Sequence, residues 1–256
     1  MRHTGRSALH LVHYWWPLAL GWSLTVVVQR SSGRAPDANG LAVLLAGIVA
    51  AYSADRVIDP GHAAHPWMMR LLVMVALVAA AICGVAAWRL PIQTSALVPA
   101  LGLASLGYPR LKQLPVTKTV LLPFIWTWAA MALPFNDGSW LGWRVLLQPI
   151  AAPLLLLITA GCLLCDLKDE WHDRRAGVRS LPAMLGGAAT IHVSMALILA
   201  AAVLALAEHR PGIAISSAAL AISTFSPALL ATDAAGPLLV DVILTLPGIL
   251  ISTRLV

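Results

Sequence analysis

The feature that most restricts the fold of this chain is a succession of long apolar runs with little polar surface between them. The run from Leu71 to Ala87, for example, contains no charged residue. Such runs recur along the chain, so that 59% of its 256 residues are hydrophobic and only 11% are charged. A bilayer core is spanned by about 20 mostly apolar residues per helix. Lipid is therefore the main solvent of this chain, because a water-soluble domain of this size could not carry so little charge.

The spacing of these runs predicts an all-α fold. We expect a polytopic transmembrane helical bundle of about nine helices, forming a single domain over residues 1–256. Charged, Gly and Pro clusters divide the chain into the apolar segments Leu9–Val28, Gly40–Ala54, Pro66–Trp88, Pro91–Leu106, Val116–Leu133, Val145–Leu164, Met184–Ala207, Gly212–Leu230 and Ala235–Ser252. The second and fourth segments are short, which predicts helices that end early and open a cavity.

The N-terminal segment is compatible with either a signal peptide or a first membrane helix. Met1 to Arg6 is basic and precedes an apolar stretch, as in a signal peptide. The stretch carries His10, His13 and the bulky pair Trp15–Trp16, and no small-residue cleavage site follows it. We therefore expect the first membrane helix here.

The positive charge of the chain, a net +6, indicates membrane topology and not nucleic acid, because the basic residues lie between the membrane segments. With an odd number of spans the basic residues divide into two sets. One set contains Arg2, Arg6, Arg56, Arg70, Arg110, Lys112, Lys118, Lys168, Arg174, Arg175 and Arg179, and the other contains Arg30, Arg34, Arg89, Arg144, Arg210 and Arg254. The positive-inside rule predicts that the first set, together with the N-terminus and the acid-rich loops, faces the cytoplasm.

Two acids mark the end of the second segment. Asp55 and Asp59 are four residues apart, which puts both carboxylates on one helical face, as a bound divalent cation requires. A solvated helix end with Arg56 as a counter-charge is the alternative, and the spacing alone does not decide between them.

A second acid-rich stretch follows the sixth segment. Asp166, Asp169 and Asp173 have the spacing i, i+3 and i+7, so they fall on one stripe of a helix. Three aligned carboxylates repel each other unless a cation binds them, and acids near a membrane core are costly. This alignment favours a functional site over a solvated turn without a functional role.

A basic loop follows the fourth segment and contains Arg110 and Lys112. Arg suits bidentate contact with phosphate oxygens and Lys acts as a mobile point charge, although a positive-inside anchor also explains both residues. Carboxylates that hold Mg²⁺ and cations that bind a diphosphate would together suit a lipid with an anionic head and an apolar tail. A prenyl diphosphate fits that description.

At these residues the chain resembles the UbiA superfamily of intramembrane prenyltransferases. Asp166 to Pro182 reads DLKDEWHDRRAGVRSLP, which is similar to the family's second motif, DxxDxxxD with a trailing R..G...LP, in the form of its chlorophyll- and homogentisate-type branches. Tyr108 to Lys112 matches the YxxxK element, and the order of segments agrees along nearly the whole chain. The first motif departs from the family's NDxxDxxxD, because Ala51 and Tyr52 replace its Asn and first Asp.

The resemblance implies a nine-helix fold and a reaction between a prenyl diphosphate and a lipophilic or cyclic acceptor. Mg²⁺ would bridge carboxylates and diphosphate, the allylic C–O bond would ionise, and the acceptor would attack the cation. The residues implied for Mg²⁺ are Asp55, Asp59, Asp166, Asp169 and Asp173, and those for the diphosphate are Arg110, Lys112, Arg174 and Tyr108. The resemblance names no base for the acceptor's proton.

Several residues have two interpretations. Tyr52, Trp126 and Trp128 would either wall the cation through their ring faces or lie at the membrane interface. Asp241 lies inside the ninth segment, where an acid is either functional or internally paired. Metal-ligand spacing without a full ligand set is found in the pairs His10/His13, His62/His65 and Cys162/Cys165. All three cysteines, Cys83 included, lie in or next to apolar runs, which argues against a disulfide framework.

Three alternative functions remain open from the sequence. The same site would serve an intramolecular reaction, as in a membrane terpene cyclase. The replaced residues Ala51 and Tyr52 favour a non-catalytic lipid-binding or assembly subunit, whereas the intact second motif argues against it. A transporter would carry its acids near the bilayer midplane, where only Asp241 is well placed.

Overall fold

The computed structural model describes residues 2–58, 66–111, 117–135 and 146–255. Side chains are described for these residues except 2–15, 66, 105–106, 108–111 and 117–118. The described ranges form helices and turns without a strand, which confirms the all-α prediction. The α-helices are α1 (Arg2–Ser32), α2 (Ala38–Ile58), α3 (Pro66–Trp88), α4 (Ile92–Ser95), α5 (Leu97–Leu111), α6 (Thr117–Ala132), α7 (Ala151–Cys165), α8 (Glu170–Ala176), α9 (Leu181–Leu185), α10 (Gly187–Ala207), α11 (Pro211–Ser223), α12 (Pro227–Leu230) and α13 (Ala235–Ser252). A 3₁₀ helix, Asp166–Asp169, joins α7 to α8.

Each predicted apolar segment overlaps a helix, and α3 and α13 have the predicted bounds. The prediction that the second helix is short is wrong, since α2 has 21 residues and ends at Ile58. Its last turns carry Asp55 and Arg56, which interrupt the apolar run without interrupting the helix. A charged side chain near a helix end can reach the membrane surface, so the helix continues where the hydropathy falls.

The fourth predicted segment is broken into two helices. The four-residue α4 ends at Ser95 and α5 begins at Leu97. Pro99, in the first turn of α5, has no N–H to donate to the carbonyl of Ser95, which lies four residues earlier. The missing hydrogen bond accounts for the break.

The outer helices present apolar faces to lipid. In the described ranges five helices are long and apolar enough to cross a membrane, and three shorter apolar helices accompany them. Large side chains such as Leu77 and Val85 on α3 and Leu206 on α10 are more than half exposed. An exposed apolar surface of this extent would be unstable in water and is stable against acyl chains. The chain is thus a multi-pass integral membrane protein.

Helices α6 and α7 lie inside the bundle. Helix α7 packs against α6, α10 and α13, whereas α3 packs mainly against α2 at the outside. Residues 126–135, from α6 into the following turn, are all buried. Seven of these residues, 126–132, belong to α6 and make nearly two turns, so this part of α6 is surrounded by protein.

Small residues make the closest contacts between helices. The Ser23 hydroxyl of α1 donates to the Thr245 carbonyl at 2.9 Å and accepts from the Gly248 N–H at 3.0 Å, both on α13. On α7, a Cβ at Gly161 would lie only 2.7 Å from a methyl carbon of Leu244 on α13. Glycine at these positions lets α13 approach both neighbours closely, as is common in membrane bundles.

Candidate active site

The three acids that follow α7 keep their predicted alignment on a backbone that changes its helical type. Asp166 and Asp169 are the first and last residues of the 3₁₀ helix, and Asp173 follows in α8. In a 3₁₀ helix residues i and i+3 are eclipsed, since three residues complete a turn. Four further residues of α-helix add one turn, so Asp173 stays close to the same side.

Asp166 is the most buried of these acids. Asp166 has an exposed fraction of 6%, the side chain of Asp169 one of 33%, and Asp173 is also half-buried. Trp171 and Arg175 on α8 are exposed, and the Arg175 guanidinium lies 3.9 Å from the centre of the Trp171 ring. The stripe of acids therefore begins in the interior of the bundle and continues into half-buried positions on a helix with exposed side chains.

Basic side chains already contact this segment. The Lys168 ammonium donates to Oδ1 of Asp169 at 2.6 Å. Arg174 donates from Nη2 to Oε1 of Glu170 at 3.1 Å and from Nε to the Ala183 carbonyl at 3.3 Å. Arg174, which the resemblance assigns to the diphosphate, is thus directed toward Glu170 and α9 in this structure.

Two glycines and Glu170 determine the path of the connection from α8 to α10. Gly177 and Gly186 have φ angles of 72° and 86°, in the left-handed region that favours glycine, and they end α8 and α9. The second carboxylate oxygen of Glu170 packs against Gly187, where a Cβ would lie 2.9 Å from it. Sequence reasoning gave Glu170 no such role, although its spacing of four residues from Arg174 is the usual signal of a helical ion pair.

The other predicted site residues belong to different parts of the bundle. Asp55 lies half-buried near the end of α2, which packs against α1, α3 and α5. Asp59 and Lys112 fall outside the described residues. Tyr108 and Arg110 belong to the last turn of α5, in a stretch whose side chains are not described. The meeting of Asp55 with the stripe after α7 therefore stays a prediction.

The aromatic residues singled out by the sequence lie inside the bundle. Trp126 and Trp128 on α6 each have an exposed fraction of 8%, so their rings are covered by other parts of the bundle. The ring of Tyr52 on α2 meets the ring of Trp126 edge-on, with a centroid distance of 6.4 Å and an angle of 62°. Tyr52 and Asp55 are three residues apart on α2, so this aromatic pair lies on the same side of α2 as the carboxylate.

The carboxylates of this stretch are oxygen ligands of the kind that Mg²⁺ prefers. Among the residues that the structure describes, no three His, Cys, Asp or Glu side chains are grouped closely enough to hold a metal ion by themselves. Mg²⁺ rarely uses an all-protein cage, because it keeps several waters and binds through one or two carboxylates and substrate phosphates. Aspartates that share a helical face provide that number of ligands.

A further acid, Asp241, is half-buried on α13. It lies within electrostatic range of the Cys165 thiol at the end of α7, as does Asp166. The sequence predicted Asp241 as an acid in a membrane segment, and only the packing of α13 on α7 brings it within electrostatic range of Cys165, the residue before Asp166.

Comparison with known proteins identifies a family and a solved structure of similar fold. The model of the UbiA prenyltransferase family matches residues 53–238. The apo structure of a UbiA homologue from Aeropyrum pernix K1 is similar in fold, with a TM-score of 0.70 and 18% sequence identity over 95% of this chain and 98% of that chain. No curated protein sequence matches.

Proposed function

The chain belongs to the UbiA prenyltransferase family, and on that premise we propose that it transfers a prenyl group from an isoprenyl diphosphate to an aromatic or other cyclic acceptor within the membrane, in a Mg²⁺-dependent reaction. The observation that carries the proposal is the stripe of Asp166, Asp169 and Asp173, which runs from a buried position to half-buried positions in an apolar bundle. A substrate with a charged head and an apolar tail matches that gradient of polarity.

In this proposal the residues that would hold Mg²⁺ are Asp166, Asp169, Asp173, Asp55 and Asp59. The bound cation would act as a Lewis acid that stabilises the negative charge of the departing diphosphate. Arg110, Lys112, Arg174 and Tyr108 would bind the diphosphate, and Arg174 would exchange its contact with Glu170 for one with a phosphate oxygen.

The apolar interior would serve the second half of the reaction. An allylic cation survives only where water is excluded, and the buried rings of Trp126 and Trp128 make part of the interior dry. Tyr52 and Trp126 present ring surfaces whose negative faces attract a cation. These three aromatic residues are our candidates for the wall of the prenyl and acceptor pocket.

The test is binding of geranylgeranyl diphosphate to purified protein, with and without Mg²⁺. Wild type is expected to bind only with Mg²⁺, and Asp166→Asn and Asp55→Asn are expected to lose binding. Asp233→Asn is the matched control, because Asp233 is an exposed acid in the turn before α13 and outside the site. Binding that is absent from wild type, or unaffected by Asp166→Asn, would refute the proposal.

The replaced residues Ala51 and Tyr52 favour one second candidate, a non-catalytic lipid-binding or assembly subunit. Such a protein would bind the diphosphate without turnover, so incubation with hydroxylated aromatic acceptors separates the two functions. A membrane terpene cyclase would release a cyclised hydrocarbon or alcohol without any acceptor, which product analysis detects.

We also propose that the N-terminus and the acid-rich loops face the cytoplasm, on the strength of the unequal distribution of Lys and Arg. Trp171, which is 62% exposed on α8, offers a test as Trp171→Cys. A membrane-impermeant thiol reagent should label this variant in opened cells and not in intact cells. Labelling in intact cells would show that the orientation is the opposite one.

A further inference from the structure

Asp241 is an acid that neither aspartate-rich motif contains, in the interior of the membrane helix α13. It is six residues from the first residue of that helix, which corresponds to about 9 Å along the helix axis. An acid at such a depth is costly unless it faces a polar cavity or a partner inside the bundle. Its surroundings show in which direction it faces.

Most residues one or two turns away on the same face of α13 are buried, and Leu238 at i−3 is half-buried. Pro237, Leu244, Thr245 and Gly248 are at positions i−4, i+3, i+4 and i+7 relative to Asp241, and all four are buried. Asp241 itself is only half-buried. Asp241 therefore lies on a face of α13 that packs mainly against protein.

This face of α13 packs against α7, and the acid stripe follows directly after α7. Gly161 of α7 packs against Val240 and Leu244, the residue before Asp241 and the residue one turn after it. Cys165, one turn beyond Gly161, is within electrostatic range of both Asp241 and Asp166. Two carboxylates from two different helices thus approach the same end of α7.

We propose that Asp241 is a catalytic residue that binds the acceptor and removes its proton; this inference rests on the proposed transferase function. The C–O bond to the diphosphate breaks and its electron pair leaves with the diphosphate. An electron pair of the acceptor forms the new bond to the allylic carbon, and the acceptor's proton passes to the Asp241 carboxylate. The stripe acids suit this step poorly, because a carboxylate that holds a cation is a weak base.

The first experiment tests whether Asp241 borders the substrate cavity and needs no knowledge of the acceptor. Dicyclohexylcarbodiimide, an apolar reagent that modifies carboxyl groups, is applied to the full chain, and the modified residues are identified by peptide mass spectrometry. Asp241 is expected to be modified, and geranylgeranyl diphosphate with Mg²⁺ is expected to reduce the modification several-fold. An unmodified Asp241, or one that the ligand does not protect, would overturn the inference.

The second experiment separates acceptor chemistry from diphosphate binding. Asp241→Asn should keep Mg²⁺-dependent geranylgeranyl diphosphate binding within about threefold of wild type while transfer to hydroxylated aromatic probes falls by at least about 100-fold in kcat. Asp241→Glu should restore part of the transfer, and Asp233→Asn should change neither. Loss of diphosphate binding in Asp241→Asn would make Asp241 a ligand of the head group and refute the acceptor role. Absence of binding in wild type would instead refute the transferase function, and the inference with it.

Discussion

The contact between α1 and α13 predicts that Gly248→Ala destabilises the protein strongly. A Cβ at Gly248 would lie 2.5 Å from both Cα and Oγ of Ser23. Carbon atoms in favourable contact are about 3.5–4.0 Å apart, so the two helices would have to separate by about 1 Å. Hydrogen bonds that now measure 2.9 and 3.0 Å at the Ser23 hydroxyl would then be lost.

The magnitude follows from these two effects. Overpacking of a well-packed contact costs about 1–3 kcal/mol. Two interhelical hydrogen bonds in a membrane protein contribute about 0.6 kcal/mol each on average. We therefore expect Gly248→Ala to lower the free energy of unfolding by about 2–4 kcal/mol, and Ser23→Ala, which removes only the hydrogen bonds, to lower it by about 1 kcal/mol.

The assay is unfolding in mixed micelles by increasing SDS, followed by the circular dichroism of the helices. Gly84→Ala is the matched control, since Gly84 lies within α3 and a Cβ there meets nothing within 4 Å. That substitution should leave stability unchanged or raise it by up to about 1 kcal/mol, because Ala favours a helix more than Gly. If Gly248→Ala unfolds at the same SDS concentration as Gly84→Ala, the argument from close packing is refuted.

Two further predictions concern a cation at the site and a helix cap. Lys168→Met removes the ammonium that contacts Asp169 at 2.6 Å. A partly exposed ion pair contributes about 0.2–1 kcal/mol. The Mg²⁺ concentration for half-maximal geranylgeranyl diphosphate binding should therefore fall by up to about fivefold. Lys168→Arg keeps the charge and should match wild type, whereas a higher Mg²⁺ requirement in Lys168→Met would mean that Lys168 itself binds the diphosphate. Asp37→Ala removes the carboxylate that accepts from the Gly40 N–H at 2.8 Å at the start of α2, which should cost about 1 kcal/mol in SDS unfolding. Asp37→Asn keeps an acceptor oxygen and should be near wild type; equal stability of all three proteins would contradict the cap.

The membrane helices could be predicted because lipid requires apolar side chains along the whole length of a spanning segment. The bounds of α3 and α13 follow from apolar runs that end at polar or turn-forming residues. The extension of α2 could not be predicted in this way, because its last turn is charged and helical at once. The break between α4 and α5 depends on one missing N–H, which hydropathy does not register.

Part of the site could be predicted because it depends on regular spacing within one segment. Regular spacing aligned Asp166, Asp169 and Asp173, and the change from 3₁₀ to α geometry preserves that alignment. The contact of Arg174 with Glu170 and α9 depends on how the chain turns at Gly177 and Gly186. The predicted contact of Arg174 with a diphosphate was based on residue type alone and took no account of that turn.

The sequence by itself determined what is periodic or compositional: the membrane environment, the helical class and the stripe of acids after α7. The tertiary structure alone decided which helices are neighbours, and with that the burial of Trp126 and Trp128 and the position of Asp241 near the end of α7. The physical reason is that contacts between distant segments depend on the shapes of whole helix faces. Gly161 and Gly248 let α13 approach α7 and α1, and no local pattern in one segment specifies the surface that it meets in another.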